Sequence, residues 1–120
     1  MAEYKLGEIE MRFAEIIWNN EPLPSNELVK LCAQELNWKK STTYTILRRV
    51  CERGLFQNNN SIVSSLVSKE EYLAHQSEEF VENTFSGSLP KFLAAFTKRK
   101  KLSEQEILEL QKIIEENRGD

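Results

Sequence analysis

The sequence is poor in the side chains that most often build metal centres and nucleophilic sites. It contains two cysteines, Cys32 and Cys51, and one histidine, His75, in 120 residues. These residues form no ligand cluster, and no nucleophile stands at a catalytic interval from a base. We therefore expect no metal site, no cofactor and no enzymatic activity. Each cysteine falls on the apolar side of a predicted helix, which is typical of reduced thiols in a core.

Long apolar runs are also absent. No segment approaches the roughly 20 apolar residues of a transmembrane helix, and the N-terminal residues MAEYKLGEIE lack a signal-peptide pattern. The sequence therefore predicts a cytoplasmic protein that does not insert into membranes. Its 40% hydrophobic and 29% charged residues are typical of a globular chain, with room for one ordinary domain or two small ones.

An overall excess of positive charge is missing, since the net charge is −3. The charge is unevenly distributed: residues 1–68 contain eight basic and eight acidic side chains, and residues 69–120 contain eight and eleven. Residues 37–53 alone contain five basic side chains and one acidic side chain. Because the local field governs attraction to phosphates, this patch is compatible with DNA binding of modest non-specific affinity.

The basic patch lies on residues 37–55, whose pattern predicts one amphipathic helix. Apolar or small residues recur at helical spacing, and the expected core face consists of Thr43, Ile46, Leu47, Val50 and Cys51. Gly54 is expected just beyond the helix end. The opposite face and the residues before it present lysines, then hydroxyl groups, then guanidinium groups: Lys39, Lys40, Ser41, Thr42, Tyr44, Thr45, Arg48 and Arg49.

Such a face is either an ordinary solvated surface or the reading surface of a helix in the DNA major groove, where short hydroxyl side chains approach base edges and arginines reach bases or phosphates. The preceding sequence favours the second interpretation. A first helix has the apolar residues Leu6, Ile9, Phe13, Ile16 and Ile17. A second helix, with Ser25 as its expected N-cap, has Leu28, Leu31, Cys32 and Leu36. Two helices joined by a short turn, the second one basic, indicate a helix-turn-helix.

The segment after Gly54 predicts a β-hairpin wing. Residues 55–57 and 62–67 have the pattern of short strands, and residues 58–61 are turn formers. The tip is uncharged, so we expect it to contribute hydrogen bonds at most.

The C-terminal half predicts three helices. A capping box of Ser68 and Glu71 begins a helix that runs towards Phe85 and is expected to bury Leu73, Phe80 and Val81. A short helix over residues 89–97 follows, and the basic run of residues 98–101 is expected to be a solvated connection. A second capping box, Ser103 and Glu106, begins the last helix, which runs to about residue 117.

These helices carry more apolar surface than one chain of this length can cover. We therefore expect residues 69–120 to form a helical dimerisation domain and residues 1–68 a winged helix-turn-helix domain, in a mostly α fold with a small β-hairpin. The expected interface residues are Phe92, Leu93, Phe96, Leu110, Ile113 and Ile114. Two-fold symmetry also doubles the DNA site that one helix can read.

Four segments together resemble the penicillinase repressors of the BlaI/MecI type, whose relatives include the copper-responsive CopY repressors. The segments are LGEIEMRFAEIIW, NWKKSTTYTILRRVCERGL, SLVSKEEY and LSEQEILELQKIIEE, in that order. The resemblance implies a dimeric repressor of β-lactam resistance genes that binds an inverted-repeat DNA operator, often with TACA-like half-sites. It also implies release by a membrane-bound sensor with a metalloprotease domain.

Two departures from the family pattern concern regulation. Members of the family are cut at an Asn-Phe bond before the last capping box, and alignment on Leu102 and Ser103 places Ala95 and Phe96 at that bond. The copper-responsive relatives carry a C-terminal cysteine cluster, whereas residues 69–120 contain no cysteine, so no copper sensing is expected there. The alternative function is a winged-helix module that binds protein instead of DNA.

Overall fold

The computed structural model describes residues 5–119, so part of the N-terminal stretch used for the signal-peptide expectation lies outside the described residues. The chain divides after Ser77 into two compact units. Within residues 5–119 no helix is both long and apolar enough to span a membrane.

The first unit contains three helices, a three-stranded sheet and the start of a fourth helix. Its elements are α1 (Glu8–Asn20), β1 (Leu23–Pro24), α2 (Ser25–Leu36), α3 (Lys40–Glu52), β2 (Phe56–Asn59), β3 (Ile62–Ser65) and the first turns of α4 (Lys69–Phe85). The second unit contains the rest of α4, α5 (Leu89–Arg99) and α6 (Glu104–Glu116). The predicted mostly helical fold, with a helix-turn-helix followed by a hairpin, is confirmed.

The sheet is antiparallel with strand order β1-β3-β2. The wing turn consists of Asn60 and Ser61, whose φ values of 51° and 66° are those of a type I′ turn, the geometry that matches strand twist. The sequence did not predict β1, in which Leu23 pairs with Val63. A two-residue edge strand that contains a proline has no alternating pattern to detect.

All fully buried apolar side chains of the described residues lie between Leu6 and Tyr72. Phe13 stacks on Trp38 with ring centroids 5.5 Å apart, and Trp18 contacts the rings of Phe56 and Tyr72 at 5.5 and 5.8 Å. Burial of such rings supplies much of the hydrophobic stabilisation of a small domain. The predicted apolar face of α1 is wrong at one position, because Ile9 is 50% exposed.

Helix ends follow the sequence signals with one exception. Gly54 has a φ of 82°, and the N–H groups of Gly54 and Leu55 donate to the carbonyls of Cys51 and Val50 at 3.0 and 3.2 Å. This is a Schellman motif, which confirms the predicted stop. Ser25 is not the N-cap of α2: Pro24 occupies that position, and Ser25 is a buried first residue of the helix.

The capping box of α6 is complete. Ser103 Oγ accepts from the Glu106 N–H at 3.1 Å, and Glu106 Oε1 accepts from the Ser103 N–H at 2.9 Å. At the start of α4, Ser68 Oγ accepts from the Glu71 N–H at 3.0 Å. Both predicted helix starts are therefore confirmed.

The second unit has no core of fully buried side chains. Every residue from 78 to 119 is half-buried or exposed in the single chain. Phe80, Phe85 and Phe92 contact one another edge to face at 5.6 to 6.1 Å, yet Phe80 remains 51% exposed. The expectation that α4 buries Leu73 and Phe80 is therefore wrong for the single chain, since Leu73 is also 45% exposed.

Tyr72 fixes the first turns of α4 within the first unit. Its buried hydroxyl accepts a hydrogen bond from the Leu6 N–H at 2.8 Å. Nearby, Lys69 Nζ pairs with Glu15 at 2.6 Å and Trp18 Nε1 donates to the Val67 carbonyl at 3.0 Å. Together these contacts hold α4 against α1.

We predict that Tyr72→Phe lowers the free energy of unfolding by about 1–3 kcal/mol, because the buried Leu6 N–H loses its acceptor. Urea denaturation at one fixed protein concentration measures the change. An unchanged denaturation midpoint and slope would show that the hydroxyl does not support this junction.

Candidate nucleic-acid interface

The turn between α2 and α3 sets the direction of the basic helix. Asn37 takes the left-handed conformation, with a φ of 59°, and the N–H groups of Asn37 and Trp38 both donate to the Cys32 carbonyl. Asparagine tolerates this conformation better than most residues. Helix α3 then begins at Lys40, with three residues between it and the end of α2.

One face of α3 is fixed in the core, as predicted. Thr43, Leu47 and Val50 are buried, whereas Ile46 and Cys51 are half-buried. This stripe leaves the opposite face of the helix on the surface. Six of the predicted DNA-binding residues are exposed there: Lys39, Lys40, Ser41, Thr45, Arg48 and Arg49.

The other two predicted residues, Thr42 and Tyr44, are half-buried. The Tyr44 hydroxyl lies 3.1 Å from Ser25 Oγ and shares a hydrogen bond with it. Tyr44 thus links the second turn of α3 to the start of α2. This role of Ser25 is not visible in the sequence, because a contact between two residues 19 positions apart leaves no periodic signal.

Thr45 already uses its hydroxyl proton inside the helix. Its Oγ1 donates to the Ser41 carbonyl at 2.9 Å. The oxygen lone pairs and the methyl group of this exposed side chain remain able to contact a ligand. Thr45 is therefore equipped to accept a hydrogen bond from a base amino group or to pack on a thymine methyl group.

Four of the five cations in residues 37–53 form no ion pair with the described residues. Arg53 pairs with Glu10 at 3.0 Å and also donates to the Lys5 carbonyl. Within the described part of the chain, no ion pair involves Lys39, Lys40, Arg48 or Arg49. Their charge is thus available to an external anion.

Glu10 remains ionised beside this surface. Burial raises the pKa of its carboxyl, but the hydrogen bonds from the Gly7 N–H and Arg53, with the charges of Arg53 and Arg49, outweigh burial and hold the pKa below its usual value. The carboxylate therefore keeps Arg53 directed towards α1.

A groove of about 360 Å³ separates α3 from the first strand of the wing. It is lined by Tyr44, Leu47, Arg48, Cys51 and Asn58. The structure thus places a wing residue, Asn58, on the same groove as Arg48, one of the predicted DNA-binding residues. Sequence reasoning did not include Asn58, because the uncharged wing gave no electrostatic signal.

The two thiols are unsuited to ionise. Burial raises the pKa of Cys32 to about 11 and also raises the pKa of Cys51. Both cysteines are free. Among residues 5–119 no group of three or more His, Cys, Asp or Glu side chains is placed to hold a metal ion.

A second surface lies in the second unit, between α5 and α6. A groove of about 300 Å³ there is lined by Phe92, Leu93, Phe96, Leu102, Glu106, Glu109, Leu110 and Ile113. Five of the six residues predicted for dimerisation line it. The sixth, Ile114, is 60% exposed, and Ala95 is exposed within α5.

Comparisons with known proteins point to one group. The family model described as Penicillinase repressor matches residues 6–116. The penicillinase repressor of Bacillus licheniformis is 23% identical over 119 residues, which cover 96% of this chain and 93% of that protein. The methicillin resistance regulatory protein MecI of Staphylococcus aureus strain Mu50 is 24% identical over 115 residues, which cover 92% and 94%.

A solved structure supports the fold. The solution structure of the DNA-binding domain of the repressor BlaI matches with a TM-score of 0.54 and 18% sequence identity. The match covers 60% of this chain and 94% of that one. At this identity the likeness establishes the fold alone.

Proposed function

Because the chain belongs to the penicillinase repressor family, and is thus a transcriptional repressor and not an enzyme, we propose that it binds an inverted-repeat DNA operator as a homodimer. The observation that carries the proposal is the exposed face of α3, which combines short hydroxyl side chains with four cations that have no ion-pair partner within residues 5–119. A helix with this surface suits the major groove, which distinguishes all four base pairs.

The residues of this face divide into two roles. We assign base contacts to Thr42, Tyr44, Thr45 and Arg48, and phosphate contacts to Lys39, Lys40 and Arg49. Ser41 belongs to the same DNA-binding face without an assigned role. The Thr45 acceptor and the Arg48 guanidinium complement the donors and acceptors of base edges. The lysines precede or begin α3, where they neutralise phosphates without reading sequence.

Tyr44 can read bases only from the position that Ser25 gives it, because the two hydroxyls share a hydrogen bond. Either oxygen can donate in that bond. When Ser25 donates, the Tyr44 O–H is left to face a DNA acceptor. This arrangement restricts the ring before DNA arrives, which reduces the ordering cost of binding.

The dimer is supported by the apolar surface of the second unit. Phe96, Ile113 and Ile114 are 44%, 54% and 60% exposed in the single chain. No side chain of residues 78–119 is fully buried. An exposed apolar cluster of this kind marks a surface that another protein covers. A second copy would cover the α5–α6 groove through an isologous contact.

Dimerisation also explains how a chain of net charge −3 would bind one site tightly. Two linked reading helices engage the two half-sites as one event, which raises avidity by about 10²–10⁴-fold over one helix. We further propose that the regulated genes are β-lactam resistance genes and that a membrane-bound sensor with a metalloprotease domain releases the repressor.

Cleavage between Ala95 and Phe96 would suit this release. The bond lies inside α5, so a protease has to unwind part of that helix first. A cut there separates Phe96 and the α6 residues Leu110 and Ile113 from Phe92 and Leu93, which line the same groove. The interface would lose much of its area while α3 keeps its place in the first unit.

We predict that the double substitution Thr45→Ala, Arg48→Ala weakens binding to the chain's own promoter DNA by about 1–3 kcal/mol per lost base contact. Lys40→Ala should weaken binding to all DNA sequences alike. It should also lower the slope of log affinity against log salt concentration by about 1 per phosphate contact in each protomer. Electrophoretic mobility shift at several salt concentrations measures both changes.

Lys112→Ala in α6 is the matched control and should bind as the wild type does. Unchanged affinity of the double variant would refute the assigned roles. Failure of the wild-type chain to shift its promoter would favour the alternative, a winged-helix module that binds protein.

We predict that Ile113→Glu with Ile114→Glu makes the protein monomeric in sedimentation velocity and reduces operator affinity by about 10²–10⁴-fold. Both side chains are exposed in the single chain, so the charges should oppose association more than folding. Asn83→Asp adds a charge at an exposed position of α4 that does not line the α5–α6 groove, and it should leave the dimer intact. If the Ile113→Glu, Ile114→Glu variant remains dimeric, the dimer interface lies elsewhere.

We predict that cells induced with a β-lactam contain a repressor fragment that ends at Ala95, detectable by intact-protein mass spectrometry. Ala95→Lys, at an exposed position that does not line the α5–α6 groove, should abolish the fragment and sustain repression if the sensor pathway cuts this bond. Derepression with every chain intact would mean that release occurs by another route.

A further inference from the structure

The wing cannot attract DNA by charge. Residues 54–68 contain no charged side chain, and the exposed tip reads Asn58, Asn59, Asn60 and Ser61. Contacts that neutralise phosphates release counter-ions and require lysine or arginine. Any contribution of this wing to DNA binding must therefore come from uncharged groups.

The amides on one side of the wing form a hydrogen-bonded row. Gln57 Nε2 donates to Ser64 Oγ across the strands at 3.1 Å, and Asn59 Nδ2 donates to Gln57 Oε1 at 3.1 Å. The side-chain oxygen of Asn59, Oδ1, accepts no hydrogen bond from any described residue. The row holds the Asn59 amide in one orientation, so little rotamer freedom is left to lose on binding.

Asn58 lies on the other side of β2, since successive strand residues point to opposite faces. It is exposed, and it lines the groove that also contains Arg48 and Tyr44. An asparagine amide has a donor and an acceptor on one planar group, a combination that pairs with the edge of adenine. Asn58 thus adds one hydrogen-bonding amide beside the exposed face of α3.

We infer that Asn58 and Asn59 bind operator DNA through uncharged hydrogen bonds, with Asn58 acting beside α3 as a specificity-determining residue. The inference rests on the proposed function, because it requires α3 to occupy the operator. Uncharged contacts displace no condensed counter-ions, so the share of affinity that they provide persists as salt concentration rises.

The test compares Asn58→Ala with Asn59→Ala, and both together, on a duplex of the chain's own promoter region between 50 and 200 mM salt. Asn60 and Ser61 stay unchanged because their positive φ values build the turn. The double variant should bind about three- to thirtyfold more weakly, as expected for the loss of one or two net hydrogen bonds. The slope of log affinity against log salt should stay that of the wild type.

Asn59→Lys provides an independent readout that does not depend on loss of function. A cation within reach of phosphates should steepen the salt slope by about 1 per protomer. Asn83→Ala, an exposed amide on α4, is the matched control and should change neither affinity nor slope. Urea denaturation of each variant confirms that the first unit remains folded.

If the wild-type chain binds the duplex and the double variant binds within twofold of it, the inference is overturned while the proposed function stands. An Asn59→Lys slope equal to that of the wild type also overturns it, because the wing would then lie away from the DNA. If the wild-type chain does not bind the duplex, the proposed function fails and the inference fails with it.

Discussion

The burial of one stripe of α3 is the constraint on which the DNA-binding unit depends. Thr43, Leu47 and Val50 are inaccessible to solvent, so α3 cannot rotate about its axis without exposing apolar surface. The angle at which the other face meets solvent is therefore set by packing. Because protein interiors are close-packed, a helix anchored in this way presents its surface side chains in one arrangement.

Polar contacts around α3 refine that arrangement. The Schellman motif at Gly54 ends the helix before the wing, and the bond between Ser25 and Tyr44 ties it to α2. The pair of Arg53 with Glu10 removes one cation from the exposed set. Each contact gives a polar or charged group at the edge of the core a partner. The residues that make these contacts hold α3 in place, whereas the other residues of its exposed face can contact a ligand.

The second unit obeys the opposite constraint. Helices α5 and α6 have the capping residues that helices need, but no side chain of residues 78–119 is fully buried. Capping and propensity determine where helices begin and end, whereas stability in water requires apolar area to be removed from solvent. The apolar area of the α5–α6 groove therefore stays partly exposed in the single chain, and the proposed dimer would remove it from solvent.

The helices, the starts of α4 and α6, the stop at Gly54 and the two faces of α3 were predictable from the sequence alone, because these follow from local periodicity and from residues within one or two turns of each other. It also located the hairpin and the apolar residues of α5 and α6. Only the tertiary structure decided that Ser25 supports Tyr44, that Arg53 is engaged by Glu10, that Asn58 shares a groove with Arg48, and that Leu73 and Phe80 remain exposed. Each of these depends on which distant side chains the fold brings together or leaves uncovered, and no local pattern records such distances.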